Sequence, residues 1–195
     1  MIDPVRRPGY GLRHPELSAR IRTLKPIAST IVHWGADREL PIRLCGYAGI
    51  AEVPQELVSS IRCIVRADDG VVLCTNDHET HPWPGGRREP GELWADTACR
   101  EVLEETGWSI DRDSLRPVGW LHYEYLTERP SGWPYPHPDF IQIIFVADAD
   151  DRLRVEAGGW TDAEGWERSS ELVGIAEACT LVHDPVARAF LELID

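Results

Sequence analysis

Gly85-Gly86-Arg87-Arg88-Glu89-Pro90-Gly91-Glu92 leads without a break into Leu93-Trp94-Ala95-Asp96-Thr97-Ala98-Cys99-Arg100-Glu101-Val102-Leu103-Glu104-Glu105-Thr106-Gly107-Trp108. The first half has two adjacent glycines and then Pro90-Gly91, which is loop chemistry. The second half has no Gly or Pro from about Glu92 to Thr106 and predicts a helix. Gly107 ends it, because a left-handed C-terminal cap costs glycine nothing. At about 100° per residue, Glu101, Glu104 and Glu105 share an arc of roughly 100°. Ala95, Ala98, Cys99, Val102, Leu103 and Thr106 form the neighbouring stripe that can face a core. Like charges three and four residues apart repel by roughly 0.2–0.5 kcal/mol per pair, so a merely solvated helix gains nothing from this arrangement. A divalent cation turns the repulsion into attraction. Hard cations such as Mg²⁺ take oxygen ligands and keep positions open for water and phosphate. The bland alternative is an ordinary acidic surface helix.

At this point the residues resemble a known family. The stretch is similar to the Nudix box, G-x5-E-x7-R-E-U-x-E-E-x-G-U, with U a bulky aliphatic residue. The fixed positions are Gly86, Glu92, Arg100, Glu101, Val102, Glu104, Glu105, Gly107 and Trp108. Trp108 is the one departure, bulky but aromatic, at a position that packs rather than reacts. The lead-in Trp83-Pro84-Gly85-Gly86 and the additional Glu89 and Gly91 also resemble the family.

The resemblance implies an α+β fold, the Nudix α/β/α sandwich, with a mixed sheet between helices and the box as loop-helix-loop. It implies metal-dependent hydrolysis of a diphosphate bond in a nucleoside diphosphate linked to another group, with Mg²⁺ or Mn²⁺ as cofactor. By the same resemblance Glu101 and Glu105 are the first metal ligands expected. Glu104 is a third ligand or bridges two metals, and the Gly86 carbonyl joins them. Arg100 orients and charge-balances the glutamates, where a lysine would lose the planar fork. Glu92, at the helix start, is read as structural. Glu101 and Glu104 within the box and Glu164 outside it are the candidate general bases.

Composition bounds the rest. The chain has 195 residues and a formal net charge of −13, with 43% hydrophobic and 27% charged residues. It is long enough for a real core. The acidity argues against gripping polymeric nucleic acid, which needs a basic footprint, but not against small nucleotides whose phosphates a metal neutralises. Cys45, Cys63, Cys74, Cys99 and Cys179 form no C-x-x-C pair. They read as reduced thiols of a cytoplasmic protein. No apolar run approaches a membrane span, and the first residues lack the apolar core of a signal peptide.

Along the chain, residues 1–53 read as an extension packed on a domain covering 54–195. Pro15 opens a short helix that Pro26 stops, and 27–34 and 41–48 are candidate strands. Ser59–Arg66 and Val71–Thr75 form a hairpin around Asp68-Asp69-Gly70. His78 and His81 are spaced by three, not the four of H-E-x-x-H, so a substrate-edge or surface loop is preferred over a zinc site. Val118–Thr127, Phe140–Ala147 and a short Leu153–Val155 are further strands, and Asp184-Pro185 caps a final helix. Asp162 and Glu164 are candidates for an acidic group joining the box. Arg87 in the glycine loop and His122 on an aromatic strand are candidate substrate contacts. Trp133 and Tyr135, in a proline-rich loop, either stack on a base or other flat group or belong to a hydrophobic loop that covers the barrel or a subunit contact.

Three functions compete. The leading one is the pyrophosphohydrolase, acting on a small nucleotide-type substrate as a possible homodimer. The second is a nucleotide-sensing Nudix module without hydrolysis, and the third an isoprenoid-diphosphate isomerase. The box is intact, and no isomerase feature stands out. Oxidised dNTPs, ADP-ribose, nucleotide sugars and dinucleoside polyphosphates all remain open as substrates, because selectivity resides in loops outside the box.

Overall fold

Pro15 opens the first helix, α1 (Pro15–Thr23), at the position where its missing N–H costs nothing. The structure is a computed structural model that describes residues 12–35, 39–49, 52–128, 131–150, 162 and 165–194. After α1 come β1 (Ala28–Trp34), β2 (Leu40–Ala48), β3 (Val58–Ala67), β4 (Gly70–Thr75), β5 (Thr80–His81) and α2 (Trp94–Thr106). Then follow β6 (Arg116–Tyr125), β7 (Asp139–Asp148), β8 (Ser169–Gly174), α3 (Ile175–Leu181) and α4 (Pro185–Ile194). The strands form one mixed sheet in the order β1-β2-β6-β7-β3-β4-β5, with β8 on β4. β3 and β7 run parallel, and every other pairing is antiparallel.

Nine of the ten residues of β7 are buried, so this strand needs cover on both faces. Period-two alternation divides the side chains between two layers. On one face Ile61, Cys63, Trp120 and Ile141 pack with Leu17 of α1 and with Ala98 and Val102 of α2. On the other, Ile64, Tyr123, Phe140 and Ile144 pack with Val186 and Phe190 of α4. The result is the α+β sandwich, helices on both sides of a mixed sheet. β1 and β2 belong to that same sheet, β2 pairing with β6 from Ile42↔Tyr125 to Ala48↔Gly119.

The helix expected from about Glu92 begins at Trp94 and ends at Gly107, which has φ 70° and donates its N–H to the Leu103 carbonyl. Trp108 is half-buried against the α2 layer, so the aromatic ring serves as packing there. Three elements were not legible in the sequence. β5 is only two residues long. β8 is a half-exposed edge strand without a long apolar run, and α3 is only seven residues long with Ala178 its one buried residue. The strand expected at Leu153–Val155 lies outside the described residues.

Candidate active site

The site begins with a hairpin that opens. β3 and β4 pair only at Arg66↔Val71 and Ala67↔Gly70, next to the turn. Beyond that the strands diverge, and residues 80–87 fill the gap between them. On the β4 side, His81 and Thr80 pair with Cys74 and Thr75. On the β3 side, Ile61 and Cys63 donate their N–H groups to the carbonyls of Gly86 and Pro84. This close approach requires a glycine at its tightest point. Gly85 has φ 146°, and a Cβ there would lie 2.1 Å from the Ile61 carbonyl oxygen. A Cβ on Gly86 would lie 2.5 Å from Glu101 Oε2, so the carboxylate rests directly on the loop backbone.

Helix α2 supplies the acidic side chains. Glu105 accepts a hydrogen bond from the Gly85 N–H at 2.6 Å. Burial pushes its carboxyl up to about 7, against the Arg62 charge and the Gly85 bond; Glu101 and Glu167 nearby add to the rise. Burial also raises Glu101, although the Arg100 hydrogen bond opposes it. Arg100 braces the group. Its Nη1 donates to Glu101 Oε1 at 2.8 Å and Glu104 Oε2 at 3.0 Å, and its Nε donates to Glu92 Oε1 at 2.9 Å. Led by that Arg100 hydrogen bond, the environment of Glu92 holds its carboxyl down at about 2. Glu92 also accepts from the Glu89 N–H and the Thr97 hydroxyl, which ties the loop to the first turn of α2.

Several neighbours were not singled out by sequence reasoning. Arg62 interrupts the apolar run of β3. Its Nη1 donates to the Gly85 carbonyl and its Nε to Gln142 Oε1, while its charge acts on Glu101 and Glu105. The usable signal is a charged residue set inside the apolar run Ile61-Arg62-Cys63-Ile64-Val65 of β3. Glu167 and His81 are a second pair, with Nε2 of His81 3.1 Å from Oε1 of Glu167 and both side chains 5% exposed. Sequence spacing alone places His81 in a surface or substrate-edge loop. Its burial follows from the two-residue pairing of β5 with β4, too short to leave a periodic signal.

The remaining expected positions are dispersed. Arg87 bridges backbone to Ser60, and its carbonyl accepts from Arg100 Nη2. Asp162 is buried and its Oδ2 accepts the N–H groups of Trp166 and Glu167, which makes it a turn-forming carboxylate. Glu164 lies outside the described residues. His122, expected to touch substrate, is instead buried with Nε2 2.7 Å from Asp139 Oδ1, in a group that Arg13, Glu124 and Arg43 complete. Its ring is committed to an internal ion network. Trp133 and Tyr135 pack with Trp34 and Phe140 over the α4 face of the sheet. Of the two readings offered for that loop, core cover matches what they touch.

The resemblance to the Nudix box implies a divalent cation. Among the described residues, no three His, Cys, Asp or Glu side chains converge on one point. Mg²⁺ does not need that, because it binds through one or two carboxylates and fills its other positions with water and phosphate. The donor set fits such an ion. Glu101 and Glu105 offer desolvated carboxylate oxygens held against glycine backbone, and Glu167 has a buried Oε2 without a partner among the described residues.

Comparison with known proteins follows the same lines. Over 102 residues the chain is 38% identical to the mouse protein called nucleoside diphosphate-linked moiety X motif 6, covering 50% of this chain and 30% of that protein. The chain thus spans about a third of the length of the curated relative it matches. Among solved structures, it is similar to the Bacillus subtilis pyrophosphohydrolase BsRppH, with 20% identity, a TM-score of 0.47, and coverage of 72% of this chain and 76% of that one. It is similar too to a NUDIX hydrolase from Nitrosomonas europaea, with 18% identity, a TM-score of 0.47, and coverage of 69% and 86%. The NUDIX domain family matches residues 56–191, well over half of the sequence and all of the box with its supporting strands, and the chain therefore belongs to the Nudix hydrolase family.

Proposed function

We propose that this protein is a Mg²⁺- or Mn²⁺-dependent pyrophosphohydrolase that cleaves a phosphoric anhydride in a small nucleotide-type substrate, a nucleoside diphosphate linked to another moiety. The observation that carries the reading is the pair of desolvated carboxylates, Glu101 and Glu105, set against the Gly85-Gly86 backbone. Such groups are costly to bury ionised, and a cation relieves the cost. The name of the mouse relative supports the substrate class.

When bound, the cation would neutralise phosphate charge, polarise the phosphoryl oxygen and lower the pKa of a coordinated water. Glu101 and Glu105 would hold it, with Glu104 and the Gly86 carbonyl as further oxygens. Arg100 keeps Glu101 and Glu104 oriented through its planar fork. Arg62, beside the carboxylates and already hydrogen-bonded to Gly85, balances their charge from the sheet side. Glu101 and Glu104 remain the box residues proposed as general base, together with Glu164.

A cytoplasmic location is proposed on the strength of five free thiols, of which Cys45, Cys63 and Cys74 are buried. No helix among the described residues is long and apolar enough to cross a membrane. Self-association is proposed from β1, an edge strand whose Ile31 is 54% exposed. Size-exclusion chromatography with light scattering tests it, and a monomer at micromolar concentration would refute it.

Phosphate release measured with Mg²⁺ and with Mn²⁺ over oxidised dNTPs, ADP-ribose, nucleotide sugars and dinucleoside polyphosphates tests the function. Turnover of one class, lost in Glu105→Gln, is expected. Unchanged turnover in that variant would defeat the reading.

A further inference from the structure

The acidic group outside α2 does not stand alone. Oε1 of Glu167 lies 3.1 Å from His81 Nε2 and accepts from Asn76 Nδ2 at 3.3 Å. Its backbone N–H is fixed by Asp162 Oδ2 at 2.8 Å. Both known side-chain partners thus occupy one carboxylate oxygen. The other, Oε2, is buried without a partner among the described residues, and so is Nδ1 of His81. A buried carboxylate oxygen left without a partner is costly, so its persistence calls for an explanation.

The chain path gives one. Gly85, four residues after His81, donates its N–H to Glu105. Ser170, three residues after Glu167, donates its hydroxyl to the Thr106 carbonyl at 2.8 Å, beside Glu105. The His81–Glu167 pair is therefore tied on both sides to the end of α2 that carries Glu105. An imidazole facing an ionised carboxylate must donate from the nitrogen that touches it, so Nε2 carries the proton. That fixes which oxygen of Glu167 is used and which is left over.

We propose that His81 is a positioning residue: by engaging Oε1 of Glu167 it turns the remaining oxygen toward the cation held by Glu105. The inference rests on the metal-dependent reading above and assigns a role that the box does not contain. Hydrogen-bonding partners of metal-binding carboxylates typically contribute about 10–100-fold in metal affinity.

The test is Mn²⁺ binding to the full chain without substrate, by calorimetry and by the electron paramagnetic resonance signal of free Mn²⁺. Far-UV circular dichroism and Tm are recorded for each variant. His81→Leu removes the donor and keeps apolar bulk, and His81→Gln restores an N–H donor at similar reach. Glu167→Gln removes the charge, and the double variant completes a cycle. The expected result is a weakening of about tenfold in His81→Leu and in Glu167→Gln. The double variant should bind no more weakly than Glu167→Gln, and His81→Gln should lie close to the native chain. Native Mn²⁺ affinity in His81→Leu, or losses that multiply in the double variant, would overturn the proposal. Equal loss in His81→Gln and His81→Leu would also overturn it, because the ring would then act other than as a donor to Glu167. Glu105→Gln separates the two levels. If it leaves Mn²⁺ binding unchanged, the metal-dependent reading fails; if it abolishes binding while His81→Leu does not weaken it, only the role of His81 fails.

Discussion

Glu105 accepts the backbone N–H of Gly85 at 2.6 Å, so the last turn of α2 and the first glycine of the loop are locked to each other. The contact lies between a desolvated carboxyl and the one stretch of backbone that strands β3 and β4 leave room for. Its consequences can be measured.

Because burial raises the Glu105 carboxyl from 4.5 to about 7, metal-free protein has a definite pH dependence. Below the unfolded value the group is protonated in both states and costs nothing. Above the folded value it is ionised in both states and its desolvation opposes folding, by on the order of 3 kcal/mol. Stability of the metal-free protein should therefore fall as pH rises through about 5 to 7. In Glu105→Gln that fall should flatten. Urea midpoints at successive pH values with chelator present check it, and an identical slope in the variant would contradict it.

The two glycines should respond differently to alanine. Gly85→Ala forces a positive-φ alanine 2.1 Å from the Ile61 carbonyl oxygen, a backbone clash, and should destabilise by about 3 kcal/mol. Gly86→Ala meets the end of the Glu101 side chain, which can swing away. It should retain most of its stability and lose at least about tenfold in turnover, as expected for a misplaced catalytic group. Chemical denaturation and steady-state kinetics on both variants distinguish them.

Arg100→Lys keeps the charge and removes the fork that reaches Glu92, Glu101 and Glu104 together. Turnover should drop by about 10–100-fold with a small change in Tm, because a single ammonium cannot hold three carboxylates in place. Activity near the native level would show that the fork is dispensable.

A separate prediction concerns Asp139. Burial works against its ionised form, but the hydrogen bond and charge of His122, aided by Arg13, hold it below its ordinary value of 3.8. A depressed carboxyl contributes stability above the unfolded value and loses it as pH falls through the folded one. Asp139→Asn should cost about 3 kcal/mol at pH 7, the scale for breaking a buried ion pair. The gap from the native chain should narrow below pH 4. Removal of Arg13 should show part of the same loss, although Arg13 lies outside the residues that match the family.

The box was legible in sequence because its constraints are local. Backbone permissiveness at Gly85 and Gly86, helical spacing of Glu101, Glu104 and Glu105, and the Gly107 cap depend on neighbours in the chain. Strong apolar runs gave β3, β4, β6 and β7 for the same reason. The short or half-exposed β5, β8 and α3 were missed, because their pairing partners, not their own composition, make them ordered. Only the tertiary structure decided that His81 and Glu167, 86 positions apart, meet in a buried pair, and that Arg62 turns toward the carboxylates. It also committed His122 to Asp139 and Trp133 to a packed aromatic group. Periodicity tells which face of a strand or helix a side chain takes. What stands opposite that face is set by how the hairpin splays and which segment fills the gap, and those are long-range contacts that spacing along the chain does not encode.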